Sequence, residues 1–425
     1  MRNDKLCPIL NAKVMAQTTE EVPVIVQFNG NNSELINEVS SLSSKLKADL
    51  PLIGGFAGNM STDIIYRLTA APEVDYISFD SDVYALLDVA TATMEADFPH
   101  KRGFEGNGIT VAVIDTGVAP HNDLVKPTNR IVGFMDYVKN KEETYDDNGH
   151  GTHVAGIIAG NGYSSRGKYV GVAPKVNILS LKALDENGGG STSDIIAALS
   201  YCMEMKNKYN IKIINLSLGT PANNNPAKDP LVKAVEKCVK AGLIVVTAAG
   251  NSGPNAKTIL SPGISRDAIT VGAADDKRTP SPDDDTIAPF SSRGPTPEGY
   301  QKPDLVAPGV NINSISNSKM DSYTSLSGTS MATPLVSGSL ALLMNKYGDL
   351  SPVEYKEMLS NSCVPLDDSI DSQGYGMLNL KLLFNVPDED SIPESFQNNN
   401  QRYDNDTFET IIILLVVFFL LDSRI

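Results

Sequence analysis

The chain has 425 residues, of which 41% are hydrophobic and 20% are charged, enough to build one large domain and a smaller one. Its net charge of −16 is concentrated in residues 1–93 and 386–425, which argues against a nucleic-acid-binding surface. The four cysteines are scattered and form no C-x-x-C pair. The sequence leaves open whether these cysteines form disulfide bonds, but a chain of this length does not need such bonds to be stable.

The amino-terminal residues predict a cytoplasmic rather than an extracellular protein. Residues 1–6 lack the apolar core of a signal peptide, and Asn11 and Lys13 interrupt the apolar residues that follow. We therefore expect no export by an ordinary signal.

Residues 1–93 predict a small α+β module of the ferredoxin-like kind. A strand at 22–28 precedes an amphipathic helix at 33–46, and a glycine-rich turn at 54–58 precedes a second helix that Ser61 caps. A strand at 74–79 completes the module. The small residues at 89–93 then predict a domain boundary and a region where the chain is cut.

Residues 94–385 predict an α/β domain with a doubly wound, mostly parallel sheet and helices on both faces. The buried strand at 109–114 leads into Asp115-Thr116-Gly117. Further strands and helices alternate at 176–181, 193–205, 211–217, 230–241, 243–248 and 268–273. Open sheets of this kind bind ligands at the carboxyl ends of their strands, where Asp115 lies. An aspartate that simply begins a turn is the ordinary alternative.

Two of the four histidines, His150 and His153, begin a predicted helix of small residues. Two histidines three residues apart could bind a metal. However, the H-E-x-x-H pattern and a third ligand are missing from this segment, so a general base is the better interpretation.

Ser330 lies where the polar loop 314–327 gives way to the apolar run 335–343, which predicts a helix. Pro334 fits the first turn of such a helix, whose amides need no helical partner. The positive end of the helix dipole and the free N–H groups favour a nucleophile that becomes an oxyanion. The alternative is that Ser330 or Thr329 is only an N-cap.

Three further segments follow predicted strands at the same edge of the sheet. One offers a backbone edge for an extended peptide, and a glycine run could flank that peptide from the other side. The third places an asparagine carboxamide after two alanines and a glycine. These segments are Ser217-Leu218-Gly219, Gly188-Gly189-Gly190 and Ala248-Ala249-Gly250-Asn251.

The order of Val-Ile-Asp115-Thr-Gly, His150-Gly-Thr-His-Val-Ala-Gly, Ala-Ala-Gly-Asn251 and Gly-Thr-Ser330-Met-Ala resembles the subtilisin-like serine peptidases, or subtilases. The resemblance is to the intracellular bacterial alkaline serine proteases in particular. It covers residues 100–380, and residues 20–90 resemble the inhibitory propeptide of that family. Four motifs in the family's order are a specific signal; this chain order is also a known example of the catalytic triad.

The resemblance implies a serine endopeptidase that works through an acyl-enzyme intermediate. Ser330 would be the nucleophile and His150 the general base, with Asp115 holding the imidazole. Asn251 and the Ser330 N–H would stabilise the oxyanion, and His153 would be structural. The chain would be a zymogen that cuts itself between Tyr84 and Glu95.

The resemblance also implies how a peptide substrate binds. The substrate would lie extended between the segments 188–190 and 217–219 and be read mainly through its backbone, which predicts broad specificity. Ala248, Ala249 and Gly250 would form one wall of the primary specificity pocket. Leu260 at its base would make that pocket shallow and apolar.

The resemblance implies no cofactor for the chemistry, and structural calcium is in doubt. The loop 161–168, where the family often binds calcium, has two positive charges and no carboxylate here. Other acidic loops, such as Asp283-Asp284-Asp285, stay open as calcium sites, and no metal ligand is assigned.

Residues 386–425 predict an acidic, disordered tail that ends in the apolar run 411–421. As a helix that run would span about 16 Å, against roughly 30 Å of bilayer hydrocarbon, so membrane contact is possible but is not the favoured interpretation.

The expected partners are polypeptide substrates and the chain's own propeptide, with no nucleic acid. The alternative function is a non-catalytic binding protein of the subtilase fold, with the amino-terminal module as a permanent lid. The presence of Asp115, His150 and Ser330 together favours the enzyme.

Overall fold

The computed structural model describes residues 5–6, 8–15, 21–30, 33–50, 54–79, 89–222, 226–279, 281–348 and 350–384. The chain forms two compact units, Met1–Ala85 and Leu86–Ile425. The sequence placed the boundary at residue 93, but the helix before it belongs to the second unit because Ala90 packs into that unit's core. The predicted tail, 386–425, lies outside the described residues.

The first unit is a four-stranded antiparallel sheet with three helices, in strand order β2-β3-β1-β4. Its core includes alternating residues of β1, such as Val24 and Val26, together with residues from the other strands and from the helices, such as Ile65 of α3. Its elements are α1 (Pro8–Met15), β1 (Glu21–Phe28), α2 (Ser33–Ser40), β2 (Lys45–Leu50), β3 (Gly55–Ser61), α3 (Thr62–Leu68) and β4 (Val74–Phe79).

Helix α2 is shorter than the sequence predicted, and residues 45–50 form a strand instead. The hydroxyls of Ser41 and Ser43 donate to the carbonyls of Glu38 and Ser40, each at 2.6 Å. Such local bonds compete with the helical hydrogen bonds and end the helix early. The predicted cap of the next helix is confirmed, because Ser61 Oγ accepts the N–H of Ile64.

The predicted glycine-rich turn at 54–58 is mostly strand β3. Gly55 pairs with Gln27 of β1, and a Cβ at Gly55 would overlap the carbonyl oxygen of Val26. The glycine therefore serves the close approach of two strands rather than a turn.

The second unit alternates strands and helices as the sequence predicted. Its elements are α4 (Val89–Thr93), α5 (Asp97–His100), β5 (Thr110–Asp115), α6 (Asn122–Val125), β6 (Ile131–Asp136), α7 (His150–Ala159), β7 (Asn177–Lys182), α8 (Thr192–Tyr209), β8 (Ile211–Leu216), α9 (Pro230–Lys240), β9 (Ile244–Ala248), β10 (Ile269–Asp275), β11 (Thr286–Ile287), β12 (Leu305–Pro308), β13 (Ile312–Ile315), β14 (Tyr323–Leu326), α10 (Thr329–Tyr347), α11 (Pro352–Ser360), β15 (Cys363–Val364), α12 (Ile370–Gln373), β16 (Met377–Leu378) and α13 (Leu380–Phe384).

The main sheet has the strand order β15-β16-β12-β10-β9-β8-β5-β7-β6, and β11 pairs with β10. The pairs from β6 to β12 along this order are parallel, which confirms the predicted mostly parallel sheet. The chain runs from β5 to one side, through β6 and β7, and then to the other side, through β8 and β9. The carboxyl end of β5 is therefore the topological switch point, where open α/β sheets bind their ligands.

Successive residues of the central strands pack on opposite faces of the sheet. Val111 and Val113 of β5 pack with helices α7 and α10, whereas Ala112 and Ile114 pack with α8 and α9. This alternation explains why β5 reads as one uninterrupted apolar run. None of the described helices is long and apolar enough to cross a membrane.

Candidate active site

Asp115 and His150 lie in contact at the carboxyl end of β5. Asp115 is fully buried, and its Oδ1 accepts the N–H of Thr116 at 2.7 Å. Nδ1 of His150 lies 2.7 Å from the same oxygen. Burial disfavours the charged imidazolium, but the charge of Asp115 and this hydrogen bond outweigh it and raise the pKa of His150.

The loop before His150 is held by another carboxylate. Asp146 accepts the N–H groups of Asn148 and Gly149 with Oδ1 and the N–H and hydroxyl of Thr152 with Oδ2. A Cβ at Gly151 would overlap the carbonyl oxygen of Gly117, so this glycine lets helix α7 begin beside the Asp115 loop.

Helix α10 begins at Thr329 with Gly328 as its N-cap, and no side chain caps it. The capping alternative for Ser330 and Thr329 is therefore wrong. Thr329 Oγ1 instead accepts the N–H of Gly250 at 3.2 Å and donates to Asn251 Oδ1 at 3.1 Å. Ser330 is half-buried in the first turn of the helix, near its positive end.

Ser217 and Ser330 are joined by two reciprocal hydrogen bonds. The Ser330 hydroxyl donates to the Ser217 carbonyl at 3.1 Å, and the Ser217 hydroxyl donates to the Ser330 carbonyl at 2.9 Å. The sequence predicted Pro334 in the first turn of the helix, but this is wrong, because the helix begins at Thr329 and Pro334 lies inside it. Because Pro334 has no N–H, it leaves the Ser330 carbonyl without a helical donor, and Ser217 replaces that donor.

Asn215 extends this network into the core and was missed as a site residue by the sequence reasoning. It is fully buried in β8, where its Nδ2 donates to Ser217 Oγ at 3.0 Å. Its Oδ1 accepts the hydroxyl of Ser337 at 2.8 Å. The only signal in the sequence was the presence of a polar residue, Asn215 or Ser337, within each of two apolar segments. Buried polar groups that have hydrogen-bond partners hold the elements that carry them in fixed positions.

Asn251 lies directly behind the start of α10. Its Oδ1 accepts the N–H of Thr329 at 2.9 Å, which orients the carboxamide. A Cβ on Gly328 would lie 3.4 Å from Asn251 Nδ2, so this NH₂ group lies beside the first turn of the helix. The oxygen thus accepts the Thr329 N–H, and the NH₂ group is the part of the carboxamide that can donate to a substrate.

A cleft of about 530 Å³ runs along these residues. Its lining includes His150 and Asn148 at one end and both predicted peptide-binding segments, Gly188-Gly189-Gly190 and Ser217-Leu218-Gly219. The structure therefore places two of the three segments that the sequence assigned to substrate binding along one cleft, whereas Ala248, Ala249 and Gly250 are not among its lining residues. Leu184, Ile195 and Leu231 add apolar surface.

Leu260 fills the space between two backbone segments of the predicted primary pocket. A Cβ on Gly219 would lie 2.9 Å from Leu260 Cβ, and a Cβ on Gly250 would lie 2.6 Å from Leu260 Cγ. The Leu260 N–H donates to the Ala249 carbonyl at 2.9 Å, which fixes the residue against the segment 248–250. The side chain therefore leaves little depth between the two walls.

A model described as "Subtilase family" matches residues 106–377, more than half of the chain. The chain belongs to the subtilase family. Serine protease AprX of Bacillus subtilis (strain 168) is 42% identical over 372 residues, which cover 81% of this chain and 83% of that protein. Subtilisin DY of Bacillus licheniformis is 36% identical over 271 residues, 63% of this chain and 88% of that protein. This subtilase is a subtilisin-like serine endopeptidase.

Solved structures agree with this assignment. Sphericase aligns with a TM-score of 0.57 and 31% identity, over 65% of this chain and 92% of that chain. A cold adapted subtilisin-like serine proteinase aligns with a TM-score of 0.51 and 34% identity, over 65% and 88%.

His153 of this subtilase is fully buried and is not among the residues that line the cleft. Its Nε2 lies 3.0 Å from the Ile312 carbonyl and 3.2 Å from the Thr324 carbonyl, so it ties α7 to the hairpin β13–β14. Burial, and then the proximity of His150, lower the pKa of His153 to about 4. A neutral imidazole that joins two carbonyl groups fits a structural role.

The loop 161–168, which the sequence predicted to lack calcium ligands, is held by hydrogen bonds to buried Asp123. The Ser164 N–H donates to Asp123 Oδ1 at 2.8 Å, and the Tyr323 hydroxyl donates to Oδ2 at 2.8 Å. Both carboxylate oxygens are therefore partnered. The expectation that this loop does not bind calcium stays a prediction.

Lys182 is a second residue that the sequence reasoning missed. Its side chain is fully buried beside Asp115, with which it pairs in the β5–β7 register. Nζ donates to the carbonyls of Thr116 and Leu184 at 2.7 and 2.9 Å and to Asp147 Oδ1 at 2.6 Å. One ammonium group thus joins the Asp115 loop, a wall of the cleft and the loop before His150.

We predict that Lys182→Met lowers the free energy of unfolding by about 3 kcal/mol, because two buried carbonyls lose their donor. Chemical denaturation followed by circular dichroism measures this loss. The matched control is Lys139→Met, which removes an ammonium group from the same Asp147 (2.7 Å) at a site that is 39% exposed. The control should leave stability nearly unchanged, since exposed ion pairs contribute little. Equal effects of the two substitutions would contradict the role of Lys182.

Proposed function

We propose that Asp115, His150 and Ser330 are the catalytic triad of this endopeptidase. The observation that carries the proposal is the 2.7 Å separation of His150 Nδ1 and Asp115 Oδ1, in a cleft that Ser217 also lines. Ser330 is bonded to that same Ser217. The raised pKa of His150 supports its role as a base that holds the proton it accepts.

The proposed reaction breaks a peptide bond in two stages. The Ser330 hydroxyl leaves the Ser217 carbonyl, and its oxygen attacks the substrate carbonyl carbon while His150 Nε2 takes the proton. The C–N bond then breaks, and His150 gives the proton to the departing amine. Water attacks the resulting ester by the same route, so the acid is released and Ser330 regains its proton. The side chains supply all of these steps without a cofactor.

Asn251 and the Ser330 N–H would stabilise the oxyanion formed in both stages. Support comes from the bond between the Asn251 oxygen and the Thr329 N–H, which leaves the carboxamide NH₂ group available beside Ser330. Fixed donors of this kind need no reorientation as the negative charge develops.

Polypeptides are the proposed substrates, bound extended between Gly188-Gly189-Gly190 and Ser217-Leu218-Gly219. Both segments line one cleft, which supports recognition through the substrate backbone. Ala248, Ala249 and Gly250 would hold the side chain that precedes the cleaved bond. Leu260 between Gly219 and Gly250 supports a preference for small side chains there.

The first unit is the proposed inhibitory propeptide, removed by self-cleavage between Tyr84 and Glu95. Residues 84–88 of that region lie outside the described residues. Ala90 and Met94 are buried in the core of the second unit. Because a protease needs an accessible, extended bond, their burial favours cleavage before Val89.

The test of the proposed function compares the unchanged chain with Ser330→Ala. We expect the unchanged chain to shorten by loss of residues 1–88 or nearby and a fluorophosphonate probe to label it, whereas Ser330→Ala stays full length and unlabelled. Mass spectrometry reads both outcomes. Ser325→Ala, an exposed serine of β14, is the matched control and should behave as the unchanged chain does. Equal labelling of Ser330→Ala would exclude Ser330 as the nucleophile.

A second prediction concerns proton binding by His150. In the Ser330→Ala chain, NMR titration should place the His150 midpoint above the ordinary value of about 6.5. Asp115→Asn removes the charge that favours the imidazolium, so burial then prevails and the midpoint should fall below that value. His100, His121 and His153 provide internal controls. An unchanged His150 midpoint would show that Asp115 does not act on this imidazole.

A third prediction concerns the oxyanion. Asn251→Ala should lower kcat on a chromogenic peptide by about 10²–10³-fold with little change in KM, because the carboxamide acts in the transition state. Asn255→Ala, an exposed asparagine in the same loop, is the matched control and should keep its kcat. A large rise in KM with unchanged kcat would instead assign Asn251 to substrate binding.

A fourth prediction concerns the primary pocket. Leu260→Gly should raise kcat/KM about tenfold or more for a peptide with phenylalanine before the cleaved bond, relative to the same peptide with alanine. The physical reason is the space that Leu260 now occupies between Gly219 and Gly250. Because each variant is compared on both peptides, a general loss of activity cancels. An unchanged ratio would mean that Leu260 does not limit the pocket.

A further inference from the structure

Strands β10 and β11 are joined by a strongly acidic hairpin, residues 275–285. It contains five aspartates and two basic residues. The strand pairing sets Ala274 opposite Ile287 and Asp275 opposite Thr286, so the next positions along the hairpin are Asp276 and Asp285. Two like charges therefore face each other across the two arms, where such pairs are unfavourable.

Both of these aspartates are buried, unlike the other acids of the hairpin. Asp276 is 2% exposed and Asp285 is 8% exposed. Asp276 Oδ1 accepts the N–H of Arg278 at 3.0 Å, but neither oxygen of Asp285 has a hydrogen-bond partner among the described residues.

The remaining acids have partners of their own. Asp275 binds the Lys277 ammonium at 2.7 Å, Asp283 accepts the Ser281 hydroxyl at 3.0 Å, and Asp284 accepts the Thr279 hydroxyl at 2.8 Å. Asp285 alone of the five is both buried and unpartnered. A buried carboxylate without a donor or a counter-charge is strongly unfavourable, so a ligand that supplies positive charge should bind here.

We propose that Asp276 and Asp285 bind a calcium ion between the two arms of this hairpin. Calcium takes six to eight oxygen ligands and accepts both oxygens of a carboxylate. Two bidentate aspartates supply about half of that set. In the part of the chain that the structure describes, no three His, Cys, Asp or Glu side chains converge on one metal position. Main-chain carbonyls and water must therefore complete this coordination.

The electrostatic setting agrees with this geometry. Burial and the neighbouring carboxylate of Asp276 both disfavour an unpaired negative charge at Asp285, and a bound cation would offset both effects. The ammonium group of Lys277 is already bound to Asp275, and the positive charge of Arg278 acts on Asp276 rather than on Asp285. The hairpin also holds the start of the second unit, because Thr93 Oγ1 donates to the Thr279 carbonyl at 3.0 Å. An ion here would therefore stabilise helix α4 as well.

The test uses the full-length Ser330→Ala chain, so the result does not depend on peptidase activity. After treatment with a chelator, calorimetric titration with Ca²⁺ should show one site that Asp285→Asn and Asp276→Asn each lose or weaken at least about tenfold. Asp283→Asn, which neutralises an exposed acid of the same hairpin, is the matched control and should keep that site. Mg²⁺ should bind more weakly, because it demands a tighter octahedral geometry.

Thermal unfolding gives an independent readout, which stays informative when a substitution changes the stability of the chain. In chelator, Asp285→Asn should melt at a higher temperature than its parent, because the substitution removes an unpaired buried charge. In excess Ca²⁺ the order should reverse, since only the parent gains stability from the ion. The same Ca²⁺ stoichiometry and affinity in Asp285→Asn and its parent would overturn the proposal. So would a parent whose melting temperature ignores Ca²⁺ but falls as pH rises through 7, which would indicate a shared proton.

Discussion

Two hydrogen bonds between Ser217 and Ser330 join the end of strand β8 to the start of helix α10. The bond from the Ser217 hydroxyl forms because Pro334 leaves the Ser330 carbonyl without a helical donor, so the helix satisfies that group outside itself. Asn215 and Ser337 continue the connection into the core. The position of Ser330 is therefore set by a sheet edge that also lines the cleft. A shift of either element would leave several buried polar groups without partners, at about 1–3 kcal/mol each.

This connection lies beside the switch point of the sheet, because β8 is the neighbour of β5. Asp115 ends β5 at the place where the strand order reverses, and helix α7 begins against it with His150 in contact. The buried ammonium group of Lys182 joins the surrounding loops through three hydrogen bonds. The side chains of the proposed triad thus lie at the ends of regular elements, because Asp115 ends β5, His150 begins α7 and Ser330 lies in the first turn of α10. Such preorganisation is what an electrostatically assisted reaction requires.

Much of this arrangement was predictable from the sequence. An apolar run indicates a buried strand or helix, and the polar residues beside the run mark where that element begins or ends. Asp115, His150 and Ser330 each stand at the end or start of an apolar element, and all three lie where those elements predicted. The sequence did not predict the tertiary partners of single polar residues, such as Lys182 or Asn215, because periodicity carries no such information. It also extended helix α2 to residue 46 and assigned 54–58 to a turn, where serine side-chain bonds and close strand contact outweighed the local pattern.

The formation of an acyl-enzyme on Ser330 tests the central claim most directly. A p-nitrophenyl ester mixed with the mature enzyme should release one equivalent of p-nitrophenol per chain in a rapid burst, followed by slow turnover. Intact-mass and peptide mapping of the quenched reaction should place a single acyl group on Ser330. A burst without an acyl group on Ser330, or an acyl group on another residue, would contradict the account.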